Sequence, residues 1–280
     1  MEQEKKIKLA AGFITQAKKI VILAGSGMSA DSGLPTFRDK SGYWKNASID
    51  HFKMASYTTF LNDPVVSWSF YADRISSYRA SKPHLGYEIL HGWCKRLGED
   101  NCFVFTSNVD QLFLKAGFAD QQIYHCHGTL DFMYCSDKSC QSRQTGLKHN
   151  SEQLLLKIHN GALPICSCGQ IMRPHVMMFG DQSFHHSAND QAIERWNTFL
   201  QSIKRTDNLV VLEIGAGSTV TTVEDVTWQL SKVASAVIQI NPNKPAPSES
   251  DSEWINLNGS ALATLMALDD SLCHDFGVSQ

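Results

Sequence analysis

The chain has 280 residues, 42% of them hydrophobic and 19% charged, with a formal net charge of −3. That length suits one large domain or a large and a small lobe around a sizeable core, and a slightly acidic chain with no long basic run argues against nucleic acid as the main partner. No apolar stretch approaches a membrane span or an export signal, and eight cysteines in such a chain fit a reducing, cytoplasmic setting better than a disulfide framework.

Residues 3–19 predict an amphipathic helix, with Lys5, Lys6 and Lys8 on its wet face, leading into a short buried strand at Ile20–Leu23. Residues 56–80 are helical in pattern, with Asp63-Pro64 opening the second half, and residues 84–97 read as a further helix. A strand at 103–106, a short helix at 110–115 and a strand at 123–125 follow. Residues 131–173 break the rhythm with cysteines, glycines and polar residues. Residues 176–179 read as a strand, 187–205 as a helix, and 209–214 and 236–240 as strands; 242–253 reads as a surface loop. Strands alternating with helices imply an α/β protein: a Rossmann-like, doubly wound parallel sheet.

The richest segment is IVILAGSGMSADSGLPTFRD, residues 20–39. Gly25, Gly27 and Ala30 have the spacing G-x-G-x-x-A, a strand–turn–helix fingerprint for a dinucleotide pyrophosphate. The glycines would let backbone N–H groups reach the phosphates, and the following helix would point its positive end at them. The proline turn after Gly33 carries Phe37 and Arg38 and suggests a loop closing over a cofactor.

Two further groups carry chemistry. Ser107, Asn108 and Asp110 sit where a strand gives way to a helix, the end at which doubly wound sheets bind ligands. The same residue types also cap helices, and the two readings weigh evenly. His127 follows the next strand and could be a general base or an ordinary structural histidine. Cys135 and Cys140, with Cys166 and Cys168, supply four thiolates, a complete tetrahedral set for one structural zinc with no open coordination position. Such a module needs the metal because it is too small to bury a core of its own.

Taken in order, GSGMSADSGLPTFR, TSNVD, HG, the two cysteine pairs, RPHVMMFGD, a glycine loop after a late strand and Ile240-Asn241 resemble the sirtuins, NAD-dependent protein-lysine deacylases, here an atypical bacterial-type member. The resemblance covers nearly the whole chain. It implies a Rossmann lobe of about 1–40, 84–130 and 174–280, and a small lobe made of a helical insertion (about 41–83) and a zinc module (about 131–173). It implies NAD and one structural zinc as cofactors, and an acylated protein or peptide as substrate, entering between the lobes.

Carried over residue by residue, Gly25, Ser26, Gly27, Ser29, Phe37 and Arg38 belong to the NAD loop. Ser107, Asn108 and Asp110 belong to the nicotinamide and ribose pocket, and Gly215, Ala216, Gly217, Ser218 and Asn241 to the far side of the cofactor. His127 is the implied base, deprotonating a ribose hydroxyl once nicotinamide has left. Val176, Phe179 and Gly180 fall on the strand that would flank the substrate peptide. Tyr71 and Arg74, three apart and so on one helix face, resemble the pair found in sirtuins that accept succinyl- or malonyl-lysine. Their plainer reading is a core tyrosine beside a solvated arginine.

The chain departs from the family pattern at four places. Ser26 stands for alanine, Ser107 for glutamine, Gly215-Ala216-Gly217-Ser218 for Gly-Thr-Ser, and the second cysteine pair is shortened to C-x-C. These leave open an NAD glycohydrolase or ADP-ribosyltransferase on the same fold, or a catalytically weak NAD or ADP-ribose sensor.

Overall fold

The computed structural model describes residues 2–36, 51–144, 148–149, 151–204, 206–242 and 252–275. Phe37 and Arg38 lie outside the described residues. The strands in chain order are β1 (Lys19–Ala24), β2 (Cys102–Thr106), β3 (Ile123–His125), β4 (Gly128–Cys135), β5 (Lys148–His149), β6 (Met172–Val176), β7 (Leu209–Ile214), β8 (Ala236–Ile240) and β9 (Glu253–Leu257).

Six of them form one sheet in the order β3-β2-β1-β7-β8-β9. Every pairing in it is parallel. The order reverses between β1 and β7, and a crevice opens there at the carboxyl ends of the strands. The strand sequences explain the layers. Ile20, Ile22, Val104 and Leu212 alternate with Val21, Leu23, Phe105 and Val211, and the two sets enter separate buried clusters on opposite faces. The first face is covered by the helices Glu2–Gln16, Leu85–Leu97 and Ala261–Asp275, which pack on one another. The second is covered by Trp196 and Phe199 of the helix Asp190–Ser202 and by Val223 and Leu230 of the helix Thr222–Ser231.

The remaining strands form a small antiparallel sheet, β5-β4-β6. Against it lies the helix Pro64–Ala80. Asp63 caps that helix, accepting from the Val66 N–H at 3.1 Å, and Pro64 occupies the first turn, where its missing N–H costs nothing. Lys115 closes the other end: its Nζ donates to the carbonyls of Tyr78, Arg79 and Ser81 at 2.8, 3.0 and 3.0 Å. Trp68, Phe70, Tyr71 and Ile75 bury against Leu130, Met133 and Met172.

Several expectations need correction. The strand expected at 176–179 ends at Val176 and begins at Met172, because Arg173, Tyr134 and Cys135 pair across β4 and β6 while residues 177–179 leave the sheet. The cysteine segment does share in a core: Leu155 and Ile158 of the helix Glu152–His159 bury in the same cluster as Trp68 and Ile75. The expected surface loop ends in β9, an edge strand whose mixed polar sequence hid it, and residues 243–251 of that loop lie outside the described residues.

Candidate active site

At the crevice the loops after β1 and β7 touch. A Cβ on Gly25 would lie 2.7 Å from the Gly215 carbonyl oxygen, and one on Gly27 would lie 2.6 Å from Gly215 Cα. Gly215 itself has φ +64 and equally little room. The glycines therefore permit backbone-on-backbone contact. Their N–H groups are already used: Gly25 donates to the Ile214 carbonyl at 2.9 Å and Gly27 to the Gly215 carbonyl at 3.0 Å. The helix that follows is a single turn, Gly27–Ala30. The two glycines' own N–H groups are thus committed within the protein, and what these two residues contribute is the close approach of the two loops.

Two cavities open from this crevice. The first, of about 370 Å³, is lined by Gly25, Ser26, Gly27, Gly215, Ala216, Gly217 and Asn241, among others. Asn241 is held by its Nδ2, which donates to the Ala216 carbonyl at 2.8 Å. Ser218 is exposed and is not among the lining residues; Gly217 and Thr219 on either side of it are. The second cavity, of about 260 Å³, runs under the small lobe past Phe70, Tyr71, Arg74, Leu130, Val176 and Phe179. Gly180, with φ +72, is exposed and lies outside that lining. Ser26, Ser107, Asn108 and His127 line both cavities, so these residues mark where the two meet.

One buried network organises the junction. The Ser29 hydroxyl donates to Asp110 Oδ2 at 2.5 Å and accepts from Asn108 Nδ2 at 3.0 Å. The Tyr87 hydroxyl lies 3.0 Å from it. Because the only Ser29 hydroxyl hydrogen goes to the carboxylate, Tyr87 is the donor in that last bond. Asn108 Nδ2 also donates to the Gly25 carbonyl at 2.9 Å, and Asp110 Oδ1 accepts from the Leu112 N–H at 3.0 Å. Asp110 thus holds the first N–H of the turn Leu112–Lys115, whose cap residue is Gln111, and also lines the cavity. Burial pushes its carboxyl up, against the pull of the Ser29 hydrogen bond.

His127 stands in the turn between β3 and β4. Burial holds its imidazole below the usual histidine pKa, with a backbone hydrogen bond to Ser107 acting the other way. Its Nε2 lies 3.3 Å from Thr222 Oγ1. Neighbouring His125 is bound instead to the backbone, its Nδ1 3.1 Å from the Asn108 carbonyl, so the two histidines have different surroundings.

Tyr71 and Arg74 both reach the second cavity. Arg74 is buried: its guanidinium carbon lies 3.3 Å from the Phe70 ring centroid and its Nη1 donates to the Phe70 carbonyl at 3.2 Å. The Tyr71 phenol is raised by burial, with Arg74 lowering it in part. Phe179 lines the cavity beside Val176. Its N–H donates to the Ala55 carbonyl and its carbonyl accepts from the Tyr57 N–H, both at 3.0 Å, so its backbone polar groups are already paired.

The ligand atoms of Cys135, Cys140, Cys166 and Cys168 lie within 4.8 Å of one another. Cys135 and Cys168 sulfurs are 3.5 Å apart and those of Cys140 and Cys166 3.8 Å. A tetrahedral zinc with Zn–S bonds of about 2.3 Å needs sulfurs about 3.8 Å apart, so the four thiolates fit one zinc ion.

Sequence reasoning passed over three contributors. Thr222 opens an unanticipated helix after the glycine loop. Tyr87 is one apolar-looking position on an amphipathic helix. Arg173 and Asp181, both with side chains 0% exposed, form a buried pair inside RPHVMMFGD. Arg173 also donates to the Val176 carbonyl at 3.0 Å and to Ser183 Oγ at 3.1 Å, fixing the turn that carries Val176 to Phe179.

The model of the Sir2 family matches residues 25–222. An NAD-dependent protein deacylase of Corynebacterium glutamicum is 29% identical over 266 residues, 94% of this chain and 96% of its own. An NAD-dependent protein deacetylase of Halalkalibacterium halodurans is 32% identical over 60% of this chain and 64% of its own. Among solved structures, a Sir2 homologue in complex with NAD is similar with a TM-score of 0.70 and 26% identity, over 93% of this chain and 92% of that one. A mutant Sir2 homologue bound to 2′-O-acetyl-ADP-ribose matches with a TM-score of 0.73 and 26% identity, over 96% and 97%. The chain belongs to the Sir2 family.

Proposed function

We propose that this chain is an NAD-dependent protein-lysine deacylase, releasing nicotinamide, free lysine and O-acyl-ADP-ribose. The observation that carries the reading is the position of His127 on the line where two cavities join. When bound, NAD supplies a ribose carbon that gives up nicotinamide and ribose hydroxyls that accept the acyl group. The Rossmann lobe would hold it in the larger cavity, with Asn241 and the Gly215–Gly217 loop along one side and Gly25–Gly27 along the other. Asn108 and Asp110, locked by Ser29, would orient its nicotinamide and ribose end. His127 Nε2 would then take the proton from a ribose hydroxyl, a task for which a neutral imidazole is suited.

The acylated lysine would enter between the lobes, its acyl group in the second cavity. There the Arg74 guanidinium and the Tyr71 hydroxyl favour an acyl group ending in a carboxylate, such as succinyl or malonyl, through charge-assisted hydrogen bonds. The test is mass spectrometry of the products formed from NAD and a panel of acyl-lysine peptides. Acyl-ADP-ribose with free-lysine peptide is the expected result. Free ADP-ribose alone would mean NAD hydrolysis, ADP-ribosylated peptide would mean transfer, and no turnover with retained NAD binding would mean a sensor; each overturns the deacylase reading.

A further inference from the structure

The helix Thr222–Ser231 begins in an unusual way. Its cap residue, Thr221, makes no side-chain capping bond, and Thr221 Oγ1 donates to Asp225 instead, at 3.0 Å. The next hydroxyl, Thr222 Oγ1, points out of the helix into the crevice and meets His127 Nε2 at 3.3 Å. Its place is fixed from below, since Val223, Thr227 and Leu230 are buried against the sheet. Thr222 lines the second cavity, and Val220, two residues earlier, lines both.

His127 is pinned at its backbone: its carbonyl accepts from the Met177 N–H at 2.9 Å, and Gly128, with φ +80, turns the chain directly after it. The ring still has two side-chain torsions and two tautomers. A neutral imidazole has one N–H and one lone pair. In the tautomer that a base at this junction requires, the N–H sits on Nδ1. The nitrogen facing Thr222 then keeps the lone pair, and the Thr222 hydroxyl donates to it.

We infer that Thr222 is a positioning residue for His127, holding the imidazole in the orientation and tautomer in which Nε2 is the proton acceptor at the junction of the two cavities. This rests on the reading of His127 as the base. When a ribose hydroxyl arrives, it replaces the Thr222 hydroxyl as donor to Nε2. Its O–H bond would break as an Nε2–H bond forms, the oxygen would use the freed pair to bond the acyl carbon while that carbon's C=N π pair moves onto the lysine nitrogen, and Thr222 would end with the proton it began with.

The test compares Thr222→Val, which keeps the shape and removes the hydroxyl, with Thr222→Ser, which keeps the hydroxyl. Nicotinamide departs before the proton moves, so exchange of labelled nicotinamide into NAD, measured with an acyl-peptide present, reads the earlier step alone. Thr222→Val is expected to lower the rate of peptide deacylation about tenfold, the weight of one lost hydrogen bond, while exchange and the KM for NAD stay as in the wild type. Thr222→Ser should restore deacylation. In the free protein, without NAD, nitrogen NMR of labelled histidine should show the His127 Nε2 resonance moving toward that of an unbonded ring nitrogen in Thr222→Val and returning in Thr222→Ser. Unchanged deacylation in Thr222→Val, or equal losses in exchange and deacylation, overturns the proposal. His127→Ala is the control. If it abolishes deacylation while Thr222→Val behaves as wild type, only the role of Thr222 falls. If His127→Ala itself deacylates normally, the reading of the base falls with it.

Discussion

The cavity that runs from His127 under the small lobe has two unlike walls. On the Asn108–Asp110 side the polar groups are bound to one another before any ligand arrives: Ser29 alone ties together Asp110, Asn108 and Tyr87. On the Tyr71–Arg74 side the wall is mostly apolar, with Phe70, Leu130 and Val176 around one guanidinium. The contrast teaches where selectivity can change cheaply. A prewired network loses several bonds when one member is removed, and the penalty for each buried group left unsatisfied is about 1–3 kcal/mol. An apolar pocket with one charged group can exchange that group and keep its shape.

The largest effect is expected where the acyl side depends on metal. Changing Cys166 and Cys168 together to Ser should abolish zinc, which metal analysis of the wild type should find at near one ion per chain. Zinc in such sites is worth roughly 10–16 kcal/mol, so the small lobe should lose its cooperative melting. Because Leu155, Ile158 and Cys166 share a cluster with Tyr71 and Ile75, the acyl pocket should be lost with it. A zinc-free double variant with wild-type thermal stability would separate the metal from the pocket.

Next in size is the buried Arg173–Asp181 pair, which fixes the turn on the same side. Asp181→Asn leaves the Arg173 charge without its counterion, a loss of about 3–5 kcal/mol, to be read from denaturant unfolding. Burial pushes the Asp181 carboxyl up, but its bonds to Arg173 outweigh that and leave it below the usual range. A carboxyl depressed in the folded state stabilises above its unfolded pKa, about 3.9, and that contribution fades as pH falls through the lower folded value. The Asp181→Asn difference should therefore be full at neutral pH and shrink only in strong acid.

The smallest expected effect is the most selective. Arg74→Met keeps much of the bulk and removes the charge. A charge-assisted hydrogen bond is worth roughly 1.5–3 kcal/mol, so kcat/KM for desuccinylation should fall about tenfold or more while deacetylation changes little. Tyr71→Phe should follow in the same direction with a smaller loss. Equal losses for both acyl groups would mean the pair supports the helix and does not read the substrate.

The same contrast governs what was legible in the sequence. The parallel sheet was readable because Ile20–Leu23, 209–214 and 236–240 are short apolar runs that alone specify buried strands. The four cysteines were readable because thiolate chemistry leaves few alternatives. The mixed polar β9 and the strand at Met172–Val176 were not, since Arg173 and His175 look solvent-facing until their buried surroundings are known. Ser29 could be placed in the loop, but its role as the hub depends on Tyr87, 58 residues away. Thr222 has no motif at all; only the packing of Val223 and Leu230 brings it to His127.

The central claim is that His127 is the base where the two cavities join, and the most direct measurement pairs turnover with binding in His127→Ala. Loss of a general base costs about 10²- to 10⁴-fold, so deacylation at saturating peptide should nearly vanish while calorimetric NAD affinity stays close to wild type. Since burial lowers the imidazole pKa and only the neutral ring accepts a proton, wild-type kcat should fall on the acid side, below the ordinary histidine value of about 6.5. A His127→Ala enzyme that keeps more than about a third of the wild-type rate, where a lost base predicts at least a hundredfold drop, would contradict the account.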